Sequence, residues 1–167
     1  MEKQTYTIDQ LSKALQEAHA YWDRTRRHQK CPNHGDIELM EFPHALAPTM
    51  MVYDICDPIE SSVFRYWGSG MTRIYGHDMT GKTLADFAPQ SMATAVANSL
   101  QNVIATCGPV AEQYEYNLSS GESLSTIALR LPMMDDQGRI NRVLSIIELL
   151  PEQKEIIQEH DIKRRYS

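Results

Sequence analysis

Two short turn clusters near the C-terminal end constrain this chain more than any other feature. Ser119-Ser120-Gly121 and Asp135-Asp136-Gln137-Gly138 divide the stretch after Gly108-Pro109 into three apolar segments, Val110 to Leu118, Ser123 to Met133 and Arg139 to Leu150. Connections this short join antiparallel neighbours, so the spacing predicts a three-stranded meander. Immediately before it lies the clearest helical pattern of the chain. Met92, Ala95, Val96, Leu100, Val103 and Ile104 recur at helical spacing between Pro89 and Gly108-Pro109, and the two prolines mark its ends.

Upstream of that helix, Met50 to Ile55 and Val63 to Trp67 are short apolar runs rich in branched and aromatic residues, joined by Asp57-Pro58-Ile59-Glu60-Ser61; they read as two strands of a hairpin. Gly68 and Gly70 end the second, and Met71, Ile74 and Tyr75 then sit at the spacing of a short helix. Strand runs separated by a helical block predict an α+β domain, with helices on one face of an antiparallel sheet. A further helix is expected from residue 7 to about residue 28. Thr7 and Gln10 spell a capping box at its start, and Leu11, Ala14, Leu15, Ala18, Tyr21 and Trp22 form an apolar stripe along it. The stripe suits either the domain's own core or a second copy of the chain. The organisation is therefore an N-terminal helix and connector over 1–48, the domain over 49–150, and a charged tail over 151–167 that reads as helical with little to bury.

At 167 residues with 42% hydrophobic and 23% charged side chains, the chain fits one soluble domain with a core that needs no staples. Its apolar runs are too short to span a bilayer, and the polar start MEKQTYTIDQ lacks a secretory signal. A cytoplasmic setting follows, and three scattered cysteines, Cys31, Cys56 and Cys107, agree with reduced thiols. Sixteen basic against twenty-two acidic residues leave a net charge of −6, and no basic face for nucleic acid is visible; Lys163-Arg164-Arg165 reads as a solvated tail. His28, Cys31, His34 and His44 hold only one tight pair, Cys31-x-x-His34, and read as polar loop residues rather than a metal site.

The stretch Gly76-His77-Asp78-Met79-Thr80-Gly81-Lys82-Thr83 matches the phosphate-binding pattern G-x-x-x-x-G-K-[ST] at every specified position. Its context is wrong. A phosphate loop joins a buried strand to the start of a long helix, whereas Met71 to Tyr75 precede this loop with helical spacing and Pro89 follows within six residues of Thr83. The structural expectation is a turn. Gly76 closes a helix in the left-handed region, Asp78 makes an Asx-turn, Gly81 supplies a second positive φ, Thr83 caps with Asp86, and Lys82 faces solvent.

These residues carry a resemblance. Arg65-Tyr66-Trp67-Gly68, a short helix and Tyr75-Gly76-His77-Asp78-Met79-Thr80-Gly81-Lys82-Thr83-Leu84 resemble the core of a PAS domain. The order Tyr21-Trp22, the basic run Arg24 to Lys30, Pro32-x-His34-x-Asp36, Met50 to Asp54 and that loop is most similar to a PAS-like family of proteobacterial single-domain proteins. Two departures stand out. His34 occupies a usual arginine position, and Phe64-Arg65-Tyr66-Trp67-Gly68 varies the usual strand ending.

The resemblance implies a five-stranded sheet, helices over one face and a cavity between them. It implies a sensory or interaction module that acts without catalysis, through a separate protein partner or through self-association. Residues 90 to 107 contain no histidine and residues 69 to 88 no cysteine, so neither the haem nor the flavin version of such a domain is indicated, and no cofactor is expected. Candidate cavity residues are Tyr53, Tyr66, Met71, Tyr75, Phe87, Val96, Leu100, Tyr114, Leu129 and Ile146, an apolar set with polar ends that suits a small molecule. A homodimer through the N-terminal helix is the expected assembly. The rival reading is a small cone-shaped α+β enzyme of the ketosteroid-isomerase or nuclear-transport-factor type, for which Asp54, at the end of an apolar strand, is the candidate carboxylate.

Overall fold

The computed structural model describes residues 4–117 and 121–150. Five antiparallel strands, β1 (Met50–Asp54), β2 (Val63–Trp67), β3 (Val110–Asn117), β4 (Ser123–Met134) and β5 (Ile140–Leu149), form one sheet in the order β2-β1-β5-β4-β3. The expected meander is β3-β4-β5, and the expected hairpin β1-β2 joins it through β1 and β5, with Met51 opposite Ser145. All five strands and the long helix lie within two residues of their expected positions. The tail from residue 151 and the Ser119-Ser120 part of one turn lie outside the described residues.

Alternation along the strands sends side chains to two separate cores. On the inner face Met51, Tyr53, Phe64, Ala128, Val143 and Ile147 pack under helix α2 (Ser69–Tyr75) and helix α3 (Gln90–Thr106). On the outer face Met50, Val52, Ile127, Leu129, Leu131, Leu144 and Ile146 pack under the N-terminal segment. The sheet is thus covered on both sides, where the sequence pattern predicted helices on one face plus an unplaced N-terminal helix.

The N-terminal segment differs from its expected form. Thr7 and Gln10 do make a capping box, but it closes only a 3-10 turn at Ile8–Gln10. The chain then breaks at Leu11 and restarts as α1 (Lys13–Thr25), whose cap is Ser12, its hydroxyl accepting from the Leu15 amide at 3.3 Å. Leu15 and Ala18 are fully buried, and Leu11 and Trp22 nearly so. The Trp22 indole N–H donates to the Pro132 carbonyl at 2.8 Å. Pro132 lies beyond the last β3 pairing, at Arg130, so its missing N–H costs the sheet no bond there, and Trp22 takes its carbonyl. The stripe expected to pair with a second copy is therefore spent within the chain, against its own sheet. Ala14 and Tyr21 of the same stripe remain half-buried.

The connector is a series of 3-10 turns, His34–Asp36, Leu39–Glu41 and His44–Thr49. It ends against Gly68 and Gly70, where a Cβ on Gly68 would lie 2.3 Å from the Pro48 carbonyl oxygen. These glycines do more than stop a strand. They let the entry to α2 cross directly over residues 47–50.

Candidate functional site

Between the inner face and helices α2 and α3 lies a small cavity of about 20 Å³. Its walls come from β1 (Met51, Tyr53), α2 (Met71, Tyr75), the following loop (Phe87), α3 (Met92, Val96), β3 (Tyr114), β4 (Thr126, Arg130) and β5 (Ile147). The space suits about one water molecule. An open cleft of about 700 Å³ beside Cys56, Gln101 and Asn141 is larger, but the small cavity between helices and sheet has the aromatic lining and convergent polar groups of a ligand site.

Of the ten candidates named from the sequence, Tyr53, Met71, Tyr75, Phe87, Val96 and Tyr114 line this cavity. Leu100 is buried in the same core without reaching the cavity wall. The other three are elsewhere. Leu129 and Ile146 point to the outer core. Tyr66 is 37% exposed, because a bulge between Met51–Trp67, Val52–Tyr66 and Tyr53–Phe64 gives β2 an extra residue. Phe64 and Trp67 both turn inward as a result, leaving Arg65 and Tyr66 outside.

Sequence reasoning missed the cavity's polar end. Arg130 is 1% exposed. Its Nε donates to Ser99 Oγ at 2.9 Å and its Nη1 to Ser145 Oγ at 2.6 Å. Its guanidinium lies 5.4 Å from the Tyr114 ring centre and 6.0 Å from that of Tyr53, within cation–π range. Next to it Glu112, also 1% exposed, accepts from the Tyr114 hydroxyl at 2.7 Å. Burial opposes the charge on Arg130, but Tyr114, Tyr53 and Glu112 more than offset it and its pKa is raised. Burial likewise pushes the Tyr53 phenol up, against the pull of Arg130. The site therefore holds a permanent cation at the end of an aromatic and methionine-lined space. The signal for it was present: an arginine inside the otherwise apolar run from Ile127 to Met133.

Asp54, the candidate carboxylate of the enzyme reading, stands apart from the cavity. It pairs with Arg65 Nε at 2.7 Å and Arg142 Nε at 3.2 Å, with its side chain 32% exposed. Of the connector residues, Cys31 is buried in the outer core and His34 Nδ1 sits 3.3 Å from Asn141 Nδ2. Among the described residues no three histidine, cysteine or acidic side chains gather as a metal site would require.

The phosphate-loop lookalike is a strand cover. Gly76 ends α2 at φ 85, and Gly81 has φ 80. The Asp78 carboxylate accepts from Thr80 N at 2.9 Å and Thr80 Oγ1 at 2.7 Å, and these bonds hold its pKa below the usual carboxylate range. The Gly81 amide donates to the Phe64 carbonyl at 2.8 Å, and the Phe64 amide to the Lys82 carbonyl at 2.9 Å, so the loop closes the free edge of β2. Thr83 and Asp86 form the expected capping box, over a helix of only three residues, Leu84–Asp86. Lys82 is exposed. Lys82→Ala should leave stability within about 0.5 kcal/mol of wild type, whereas Gly81→Val should cost on the order of 1–3 kcal/mol because a branched residue is strained at that φ. Urea melts of both variants, beside calorimetric titration of the wild type with ATP or GTP and magnesium, check this. Triphosphate binding that disappears in Lys82→Ala would make the loop a phosphate site after all.

A family profile described as PAS domain matches residues 10–148. The chain belongs to the PAS domain family. No curated protein matches it. Among solved structures, VqmA bound to DPO superposes with a TM-score of 0.51 at 21% identity, over 62% of this chain and 52% of that one. A Vibrio cholerae VqmA dimer without its target DNA gives 0.53 at 18% identity over 70% and 54%, and a VqmA–ligand–DNA complex 0.51 at 19% over 78% and 59%. At these identities the likeness shows the fold. This PAS domain spans just over half the length of those chains. Among its described residues no helix is long and apolar enough to cross a membrane.

Proposed function

We propose that this PAS domain is a cytoplasmic sensory module that admits a small molecule between its inner sheet face and helices α2 and α3, and signals through a separate protein partner or through self-association. The observation that carries the reading is the buried Arg130 cluster at the end of the cavity. A charged group is costly to bury, and a packed core gains nothing from one at this place that a leucine would not supply. VqmA, which contains this fold and is bound to DPO in one structure, provides a precedent for ligand binding by a protein with such a domain. Catalysis and direct nucleic-acid contact by this domain are not part of the proposal. Any self-association uses surface other than Leu11, Leu15, Ala18 and Trp22 of the N-terminal stripe, which are buried.

The second reading is an interaction domain with a solid core. It draws on the cavity's present volume of about 20 Å³, far below the few hundred of an occupied ligand site. Three of the wall residues, Met51, Met71 and Met92, are flexible thioethers that can repack to open it. Thermal melts with phenol, indole or benzoate separate the two readings. A ligand that binds the folded state raises the melting temperature in a concentration-dependent way, and Val96→Phe, which fills the cavity from α3, should abolish that rise. No stabilisation of the wild type by any of the three would favour the solid interaction domain.

A further inference from the structure

Arg130 also narrows the chemistry of what can enter. Its two shortest hydrogen bonds run to neutral hydroxyls, Ser99 on α3 and Ser145 on β5, and its further polar contacts are to the phenols of Tyr53 and Tyr114, so each of these hydrogen-bond partners of the guanidinium is neutral. Among the described residues no carboxylate stands in ion-pair contact with it. Glu112 opposes Ala128 in the strand pairing, one inward-facing position along β4 from Arg130, and Tyr114 binds it through the phenol. The charge is thus balanced at second hand, by a carboxylate behind a tyrosine. Direct contact with the guanidinium is made by two serine hydroxyls and by Tyr53 and Tyr114, through their rings and their phenol oxygens. The rest of the cavity presents Tyr75 and Phe87, with ring centres 5.0 Å apart, and methionine.

Resting on the sensing function proposed above, we infer that the cavity takes a small planar ring bearing an anionic oxygen, a carboxylate or an acidic hydroxyl, with the oxygen on the Arg130 guanidinium and the ring among the aromatic and methionine side chains. Planar oxyanions match the guanidinium fork, and charge-assisted bonds in a water-poor site are the strong ones. A neutral ring of the same shape would fill the apolar part equally well and leave the cation without its partner. Selection by charge rather than by shape follows.

The test uses the full chain labelled with ¹³C at the methionine methyls, with benzoate as the probe and benzamide as its neutral counterpart. Benzoate is expected to shift the Met51, Met71 and Met92 signals saturably while Met40, 76% exposed on the surface, stays still. Benzamide is expected to bind about tenfold more weakly or worse. Arg130→Met should bring benzoate down to the benzamide level and leave benzamide unchanged. The wild-type comparison needs no variant, so it decides even if Arg130→Met does not fold. Benzamide binding as tightly as benzoate would overturn the anionic class and leave the sensing function standing. Silence of the three methyls towards benzoate and benzamide, while indole still stabilises the protein, would likewise overturn this inference alone. Silence towards all four compounds would overturn both.

Discussion

Replacing Leu15 with aspartate is expected to unfold the domain. Leu15 has no exposed surface and sits with Ala18 and Trp22 in the outer core, against β-sheet residues such as Leu129 and Leu144. Removing its side chain alone, as in Leu15→Ala, should cost about 2–5 kcal/mol. A carboxylate at the same place has no described cation to pair with in that cluster, so an uncompensated charge adds to the lost burial. The total, on the order of 5 kcal/mol or more, approaches the whole stability of an ordinary domain. Circular dichroism and chemical denaturation of both variants give the measurement, with sedimentation of Leu15→Ala as the control. The alanine variant should be folded, destabilised and unchanged in mass. A well-folded Leu15→Asp that is monomeric where the wild type is dimeric would mean that the stripe faces a second copy instead.

That case shows where the sequence could be read and where it could not. The amphipathic pattern of Leu11 to Trp22 was plain, but periodicity records only that one face is apolar, not what covers it. The strands were legible because turn residues bound them and because α3 separates the two groups. Their faces were harder. β4 is buried continuously from Thr126 to Met133, since both sides of the sheet carry a core, and such a run has no alternation to reveal which residues look inward. Leu129 and Ile146 were assigned to the wrong side for this reason. Tyr66 was misplaced by a bulge, which shifts every later residue of the strand by one and which no composition signal marks. The loop GHDMTGKT was read correctly because its turn chemistry is local: Asp78 bonds Thr80 two residues on, and Thr83 bonds Asp86 three residues on. The Arg130 cluster is the opposite case. Ser99, Glu112, Arg130 and Ser145 come from four different elements, and only the register of the sheet and the docking of α3 bring them together.

Gly68→Ala is expected to be among the most damaging single-methyl additions in the molecule. The backbone angles at Gly68 are ordinary, φ −63 and ψ 148, so an alanine would feel no conformational strain there. The difficulty is space. Its Cβ would lie 2.3 Å from the Pro48 carbonyl oxygen, 2.6 Å from the Pro48 carbonyl carbon and 2.9 Å from the Ala47 carbonyl oxygen, all of them backbone atoms that cannot rotate away. The crossing is also pinned, since the Gly68 amide donates to the Met50 carbonyl at 2.8 Å. Relief would require pulling the start of α2 off residues 47–50, and with it Met71, which lines the cavity, and Trp67, which packs against Phe64 with ring centres 5.1 Å apart. Overpacking commonly costs about 1–3 kcal/mol where side chains can adjust, and a rigid backbone contact belongs at or above the top of that range. At about 2–4 °C per kcal/mol for a domain of this size, a fall in melting temperature on the order of 10 °C is expected. Gly81→Ala provides the contrast. Its Cβ meets nothing within 4 Å, and only its φ of 80 opposes the change, so its loss should be about 1 kcal/mol. Paired thermal melts of the two alanine variants make the comparison. A Gly68→Ala protein that melts within a few degrees of wild type, or above Gly81→Ala, would show that the crossing over Pro48 is looser than the packing described here.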